Sequence, residues 1–263
     1  MLPIILYENI LKNGTLTTSG TDADANYNIL NIIDYKSYSK WKADSIVNPW
    51  IEIDLLASDD PDCIGIYNHN FNEIGGTIKL QYDNAGWVDL ATINPNGTYP
   101  ILLPFTAQAS TKFRLLFTSP TIVPELAVFF LGHKMEFPYP PDAPATPGEE
   151  GIKGVMELSE AGHTLGSVIS HFPLTINQKF TNITRVWFDA NYRPFWFNHA
   201  RYLIQFFYGF DLTNRIYDVY YVKVDQGMKF KEILTILSLT DSIDMTMTGI
   251  SSDKNYSPFM WES

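Results

Sequence analysis

Apolar and polar residues alternate along this chain in short runs, which is the pattern of β-strands. In the run WIEIDL, which ends at Leu55, isoleucine and leucine alternate with Glu52 and Asp54. The run IGIYNHNF, residues 64–71, repeats the pattern after a short loop. A period of two predicts strands that bury one face. Two such strands can close a hydrophobic layer between two sheets.

A hairpin and two further strands follow in the first half of the chain. In TIKLQYDNAGWVDL, residues 77–90, two apolar runs flank the turn residues 83–86, which predicts a β-hairpin. The runs KFRLLF and LAVFFLG continue the series. Together with the N-terminal runs, they give about eight predicted strands. The predicted fold class is therefore mainly β, with an N-terminal β-sandwich of the jelly-roll type.

The composition changes abruptly at the proline-rich segment 137–154. Proline favours extended, semi-rigid backbone, so we interpret this segment as a linker between two domains. The predicted domains are residues 1–136 and residues 155–263. An ordered loop that crosses one continuous domain is the alternative interpretation.

The second half of the chain predicts a β-rich domain with one short helix. Apolar residues at 183, 186, 187 and 190 have the spacing of one helix face. We expect this helix to be capped by Thr181 or Asn182 and to end before Pro194. Two strands are predicted before it, in GHTLGSVISHFPLTINQKF. Further strands are predicted after it, in FWFNHA, YLIQFFYGF, YDVYYVKV, KEILTILSLT and IDMTMTGIS.

The chain of 263 residues is acidic, with 18 Lys and Arg against 29 Asp and Glu and a net charge of −11 at pH 7. Binding to nucleic acid or to an anionic membrane needs clustered basic residues, so we expect neither. The single cysteine, Cys63, excludes an intrachain disulfide and a cysteine-built metal site, and we interpret it as a core residue. No signal segment and no apolar run of about 20 residues is present, which predicts a soluble protein without membrane insertion.

The sequence contains none of the common catalytic motifs. It has no glycine-rich phosphate loop, no His-Glu-x-x-His and no Gly-x-Ser-x-Gly. Its histidines are scattered, and none has a second histidine or a cysteine at ligand spacing. Ser167 and His171 lie on a predicted strand, where they do not converge as nucleophile and base. We therefore expect that the protein is not an enzyme and needs no cofactor.

A cluster of carboxylates in SDDPDC is a candidate cation site. Asp59, Asp60 and Asp62 offer oxygen ligands, which Ca²⁺ prefers. The run lacks the glycine and the distal glutamate of a dedicated calcium loop. A solvated turn around Pro61 is the alternative, and we favour it.

The order of motifs in the first half resembles the discoidin, or galactose-binding-like, jelly roll. The tryptophan-led run WIEIDL, the run IGIYNHNF, the hairpin GGTIKLQYDNAGWVDL and the arginine-bearing run KFRLLF occur in that family's order. This resemblance implies a discoidin-like β-sandwich and a sugar site at loops on one end of it. Discoidins often carry a disulfide that joins their ends, and a chain with one cysteine cannot form it.

The residues suited to such a sugar site are aromatic rings, amides and a guanidinium group. Aromatic faces pack on the C–H surfaces of sugars, and the polar groups bind hydroxyls. The alternative is that these side chains serve core packing and turns, and we favour it because a sequence does not show convergence. The candidate glycan-binding residues are Trp41, His69, Asn70, Trp87 and Arg114.

The second half resembles the C-terminal part of a family of tailed-bacteriophage tail proteins that begin with a discoidin-like domain. The resemblance rests on the run LGSVI, on the run PFWF and on the run MTMTGI near the end. The matching residues are Leu165 to Ile169, Pro194 to Phe197, and Met245, Met247, Gly249 and Ile250. The run YLIQFFYGF departs from that family, which has a loop with tryptophan and proline there.

The tail-protein resemblance implies a structural component of a tail tip or baseplate, located in the virion and made in the host cytoplasm. Its partners would be other tail or baseplate proteins, copies of itself in a ring or other symmetric assembly, and host-surface glycans. Aromatic residues beyond the needs of a core predict the assembly interface: Phe195, Trp196, Phe197, Phe206, Phe207 and Tyr208. A carbohydrate-binding module for adhesion to the host surface is the alternative function.

Overall fold

The computed structural model describes residues 2–95, 97–143, 145, 148–161, 163–230 and 240–250. The chain divides into two compact units. Unit 1 comprises Met1–Phe137 and Phe206–Val219, and unit 2 comprises Pro138–Gln205 and Tyr220–Ser263. The sequence-based division placed residues 206–219 in the C-terminal domain, whereas they pack with the N-terminal sandwich.

The described residues form mainly β-structure, as the sequence predicts. The strands are β1 (Ile4–Leu6), β2 (Gly14–Thr18), β3 (Trp41–Lys42), β4 (Trp50–Asp59), β5 (Cys63–His69), β6 (Thr77–Asp83), β7 (Trp87–Ile93), β8 (Ile101–Pro104), β9 (Ser110–Thr118), β10 (Glu125–Gly132), β11 (Lys134–Glu136), β12 (Glu149–Glu150), β13 (Lys153–Leu158), β14 (Thr164–His171), β15 (Pro173–Thr184), β16 (Phe206–Asp211), β17 (Arg215–Val224) and β18 (Thr240–Ile250).

Helical structure is short throughout the described residues. The α-helices are α1 (Arg185–Trp187) and α2 (Arg193–Asn198), which are joined by the π-helical turn Phe188–Tyr192. The 3-10 turns are Ile10–Asn13, Ala25–Tyr27, Ile29–Ile33 and Ala200–Tyr202.

Two antiparallel sheets form the sandwich of unit 1. One sheet has the strand order β2-β4-β9-β6-β7, and the other has the order β3-β10-β5-β8. Alternate residues of both sheets bury their side chains in one hydrophobic cluster between them, including Ile51 and Ile53 of β4 and Ile64 and Ile66 of β5. The alternation of WIEIDL thus places its apolar face in this core, as the sequence predicts.

A third layer in unit 1 covers the outer side of the sheet that contains β10. In this layer β1 pairs with β11 on one side and with β16 on the other. Phe130 of β10 makes an edge-to-face contact with Phe207 of β16, with ring centroids 5.3 Å apart. Because β10 lies between two apolar layers, nearly all of its residues are buried. Gly65 is required here, since an added Cβ would lie 2.5 Å from the ring of Phe207.

Unit 2 contains an antiparallel sheet in which β18 lies between β15 and β17, and β12 pairs with β15. Part of the predicted linker therefore belongs to this sheet. The backbone N–H of Asp142 also donates to the carbonyl of Lys179 at 2.7 Å, and the Thr181 hydroxyl donates to Asp142 Oδ1 at 2.9 Å. These bonds order the segment, because extended backbone must pair its polar groups when it packs on a domain.

The helix of unit 2 begins later and extends further than the sequence predicts. Its cap is Thr184, whose hydroxyl accepts from the backbone N–H of Trp187 at 3.3 Å. Pro194 does not end the helix because it lies in the first turn of α2, where no backbone N–H is needed. The run FWFNHA is consequently mostly helix and not strand. Its aromatic content suggested a strand, but packing overrides that preference. The predicted strand KEILTILSLT lies outside the described residues except for Thr240.

Candidate functional site

The predicted glycan residues do not converge, because three of them have structural roles. Trp41 is fully buried, and its Nε1 donates to the Thr21 hydroxyl at 3.2 Å. His69 is also buried. The Asn70 side chain donates to the carbonyl of Val123 at 2.9 Å and accepts from the backbone N–H of Glu125 at 3.0 Å. The side chains of these three residues are thus used in packing and hydrogen bonds within the sandwich.

Trp87 and Arg114 do meet, on the outer face of the five-stranded sheet. The guanidinium carbon of Arg114 lies 4.2 Å from the ring of Trp87, and its Nε donates to Gln81 Oε1 at 2.7 Å. Gln81 and Lys79 in turn donate to the two carboxylate oxygens of Asp89, each at 2.5 Å. The hydrogen bond from Lys79 holds the pKa of Asp89 below its ordinary value. The polar groups of this face are thus largely satisfied by one another.

The three aspartates of SDDPDC do not form one ligand set. The backbone N–H of Lys134 donates to Asp62 at 2.8 Å, and the Lys134 ammonium lies 3.4 Å from the same carboxylate. Asp59 and Asp60 instead approach His133, with His133 Nε2 3.2 Å from Asp59 and 3.4 Å from Asp60. The three ligand atoms of this second group lie within 4.8 Å of one another.

The imidazole of His133 occupies the position in which a cation would neutralise these carboxylates. Its other nitrogen, Nδ1, lies 3.6 Å from the carboxylate of Glu8. The nearby carboxylate of Glu8, followed by those of the two aspartates, raises the pKa of His133 to about 9. The ring is therefore protonated at pH 7, and it supplies the positive charge that a Ca²⁺ ion would otherwise bring to these carboxylates. The expectation that this turn holds no cation stays a prediction.

The aromatic residues predicted to form an assembly interface are mostly core residues. Phe195, Phe206, Phe207 and Tyr208 are fully buried, Trp196 is 8% exposed, and only Phe197 has an exposed ring, at 37%. A side chain that packs inside its own chain does not reach a neighbour. Aromatic rings of the second half pack instead in the third layer of unit 1 and in the ring cluster around Phe188 in unit 2.

A cavity of about 330 Å³ opens in unit 1 beside β8. Two tyrosines flank it, Tyr99 from the loop before β8 and Tyr217 from β17, with ring centroids 5.9 Å apart. They are 37% and 50% exposed, respectively. The cavity is lined by Thr92, Ile93, Asn94, Tyr99, Pro100, Ile101, Leu102, Leu103, Pro104, Leu212 and Tyr217. We call this the tyrosine pocket.

His69 fixes one wall of the tyrosine pocket. Burial lowers the pKa of His69 to about 4, so the ring is neutral at pH 7. Its Nδ1 accepts from the backbone N–H of Phe71 at 3.2 Å, which leaves Nε2 to carry the proton. Nε2 donates to the backbone carbonyl of Tyr99 at 3.0 Å. One of the predicted glycan residues thus positions a pocket residue that sequence reasoning missed.

Comparison with solved structures finds carbohydrate-binding modules similar to this chain. Chitosan-binding module 1 of a chitosanase/glucanase from Paenibacillus sp. IK-5 is 19% identical and matches 48% of this chain and 98% of that module, with a TM-score of 0.41. The module CpGH89CBM32-5 from Clostridium perfringens, solved with GalNAc-β-1,3-galactose, is 14% identical and matches 49% of this chain and 99% of that module, with a TM-score of 0.41.

A putative α-L-fucosidase from Bacteroides thetaiotaomicron also matches 50% of this chain and 29% of its own length, at 14% identity and a TM-score of 0.40. No protein-family model and no curated protein matches the sequence. The resemblance to phage tail proteins therefore stays a prediction, as does the expectation that the chain is not an enzyme. In the part of the chain that the structure describes, no helix is long and apolar enough to cross a membrane.

Proposed function

We propose that this chain binds a neutral carbohydrate in the tyrosine pocket of unit 1. The observation that carries the proposal is the pair of partly exposed tyrosine rings that line a preformed cavity. The cavity of about 330 Å³ lies at the small end of the roughly 300–1,000 Å³ that ligand pockets occupy. This size suits one or two sugar rings.

The lining has the chemistry that a pyranose ring needs. An aromatic side chain offers a flat apolar face for the C–H groups of the sugar, together with a polar edge for its hydroxyls. Tyr99 and Tyr217 supply both. Asn94 and Thr92 add an amide and a hydroxyl beside the apolar wall of β8. An apolar pocket with a few polar groups is the usual form of a small-molecule site.

The pocket favours an uncharged ligand. Among the described residues that line it, none has a carboxylate, an ammonium or a guanidinium group. A uronic acid or an amino sugar would lose its hydration there without gaining an opposite charge. We therefore expect neutral hexoses or N-acetylated sugars to bind better than acidic or basic glycans.

A glycan array followed by titration calorimetry with the full chain tests the proposal. Removing the ring in Tyr217→Ala should weaken binding roughly 10- to 100-fold, because burying an aromatic ring contributes about 1.5–3 kcal/mol. Tyr217→Phe keeps the ring and should retain most of the affinity. Tyr217 is half exposed, so neither change should disturb folding.

Trp87→Ala is the matched control on the outer face of the five-stranded sheet. It should leave glycan binding unchanged if the ligand occupies the tyrosine pocket. A loss of binding in Trp87→Ala with full binding in Tyr217→Ala would move the site to the face where Arg114 packs on Trp87. If the chain binds no neutral glycan on the array, the proposed function is refuted.

A structural role in a phage tail is the second candidate function. The observation that favours it is the exposed apolar hairpin formed by β13 and β14 in unit 2, which offers a surface for assembly. Detection of this chain in purified virions by mass spectrometry, with a location in a tail reconstruction, would support it. Virions that lack the chain would rule it out. The two functions are compatible, because they use different units.

A further inference from the structure

The hairpin of β13 and β14 in unit 2 exposes large apolar side chains. These strands pair only with each other among the described residues, as a separate two-stranded sheet. Val155 is 68% exposed, Val168 72%, Leu165 69% and Ile169 53%. A hairpin of this kind is marginally stable in water, because two strands bury little apolar surface. Its many apolar side chains are instead typical of a strand pair that is covered by another protein surface.

The outer edge of β13 is the more suitable edge for pairing. An edge strand presents N–H and C=O groups that another strand can bind. Lys153, Val155 and Glu157 alternate along β13, so they lie on one face of it. The two register shifts of the hairpin, at Lys153/Gly154 and Glu157/Leu158, insert their extra residues in β14 and leave this alternation intact. A basic and an acidic residue are thus placed symmetrically about a central valine. Strand β14, by contrast, carries no lysine, arginine, aspartate or glutamate.

This spacing is self-complementary under a two-fold axis. If β13 of two copies pair in antiparallel fashion with Val155 at the centre, Lys153 of each copy lies opposite the partner's Glu157. The two Val155 side chains then face each other across the axis. Val155 already pairs with Val168 inside each hairpin, so the combined sheet has four valines in a row. An ion pair flanks this row on each side.

We propose that this chain self-associates through β13, which joins two hairpins into one four-stranded antiparallel sheet. Charge complementarity selects a second copy as the binding partner. When one Lys-x-Val-x-Glu run is reversed against another, each lysine lies opposite a glutamate. Backbone hydrogen bonds at the edge would supply affinity, and the side-chain row would fix the register. The interface is isologous, so each side-chain change acts twice.

Charge reversal tests this arrangement in the full chain by sedimentation velocity over a concentration series. Lys153→Glu and Glu157→Lys should each raise the dissociation constant of the dimer roughly tenfold or more, because each replaces two ion pairs by two like-charge pairs. The double variant K153E/E157K restores both pairs and should dimerise like the unmodified chain. Lys229→Glu, at an exposed lysine of unit 2 outside the strands, is the matched control and should leave dimerisation unchanged.

A cross-link locates the two-fold axis. Val155→Cys should give a covalent dimer on mild oxidation, because residues directly opposite in an antiparallel pair have Cβ atoms close enough for a disulfide. The natural Cys63 is buried and does not interfere. Val47→Cys, at a valine of unit 1 that is 78% exposed, is the control and should remain monomeric on a non-reducing gel.

Each contrary result overturns the proposal. A chain that stays monomeric at all concentrations would do so, as would a dimer that tolerates both single reversals. A dimer that the double variant fails to restore shows that another register or another surface is used. A chain that is monomeric alone but binds a strand of a different protein when the two are mixed would also contradict self-association.

Discussion

The ion-pair cluster around His133 should make the stability of unit 1 depend on pH. His133 lies between the carboxylates of Glu8, Asp59 and Asp60. These groups raise the pKa of the histidine from 6.5 to about 9 in the folded chain. His133→Gln removes the charge and keeps a side chain that can donate hydrogen bonds, so it isolates the electrostatic part.

The size of the effect follows from the pKa and from the exposure of the ring. A change of the pKa from 6.5 to about 9 sets an upper limit of about 3.4 kcal/mol, because each pKa unit corresponds to about 1.36 kcal/mol. The His133 side chain is 40% exposed, however, so solvent screens these contacts. Exposed ion pairs contribute about 0.2–1 kcal/mol each. We therefore expect a total of about 1 kcal/mol.

The direction of the effect is fixed by proton binding. Because the folded chain holds the proton of His133 more tightly than the unfolded chain does, protonation stabilises the fold. This contribution should be complete below pH 6.5, decline as the pH rises, and vanish above about pH 9. His133→Gln should therefore cost stability in mildly acidic solution and almost none in alkaline solution.

Urea unfolding of the unmodified chain and of His133→Gln, at about pH 6 and at about pH 10, measures the difference. The expected result is a gap of about 1 kcal/mol at the lower pH and a gap near zero at the higher pH. His163→Gln, at an exposed histidine of unit 2, controls for the loss of a histidine elsewhere. A gap that is equal at both pH values would refute the electrostatic reasoning.

Three further experiments test the assignments of buried residues and of the cluster around His133. Phe207→Ala should lower the free energy of unfolding by about 3–5 kcal/mol, because the buried ring of Phe207 packs on Phe130. Phe197→Ala should lower it much less, because the ring of Phe197 is exposed. Urea denaturation of both variants measures the difference. Cys63 should react with a thiol reagent only after unfolding, because burial raises the pKa of its thiol, and rapid labelling of the native chain would contradict this. Calcium should leave the melting temperature unchanged at neutral pH, because protonated His133 already neutralises the aspartates; a clear rise on addition of Ca²⁺ would show that the ion binds.

Local alternation was sufficient to predict individual strands but not their partners. The period of two in WIEIDL predicts β4 because one face of that strand covers the core and the other meets solvent. The same reasoning leaves the neighbours of each strand open. Strand β16 pairs with β1 although most of the chain lies between them, and no local pattern carries that information. The helix was predicted with shifted ends, since the π-helical turn before Pro194 extends it.

The candidate site was predicted in part for the same reason. Residue type alone does not distinguish a buried Trp41 from an aromatic ring on a binding surface. His69 was selected as a sugar ligand, whereas burial and two hydrogen bonds make it a support for the Tyr99 backbone. Tyr99 and Tyr217 meet only because residues 206–219 return to unit 1 from the second half of the chain. Predicting the tyrosine pocket would have required that pairing.

The discontinuous path of unit 1 predicts that residues 1–136 do not form a stable domain alone. Strand β16 pairs with β1 at Ile4↔Gly209, Ile5↔Tyr208 and Leu6↔Phe207. Three of its four aromatic residues, Phe206, Phe207 and Tyr208, are fully buried. Each such ring contributes about 1.5–3 kcal/mol, so their loss costs roughly 5–9 kcal/mol. This is comparable with the whole stability of an ordinary domain, about 5–15 kcal/mol.

A fragment of residues 1–136 should therefore be expressed as an unfolded or aggregated chain. A second fragment, in which a Gly-Ser linker of about a dozen residues crosses β1 and joins residues 1–137 to residues 206–219, restores β16 beside β1 and should unfold cooperatively. Circular dichroism and limited proteolysis distinguish the two fragments. The reasoning fails if the shorter fragment melts cooperatively at the temperature of the longer one, because β1 and the outer face of β10 would then be stable without the cover that β16 provides.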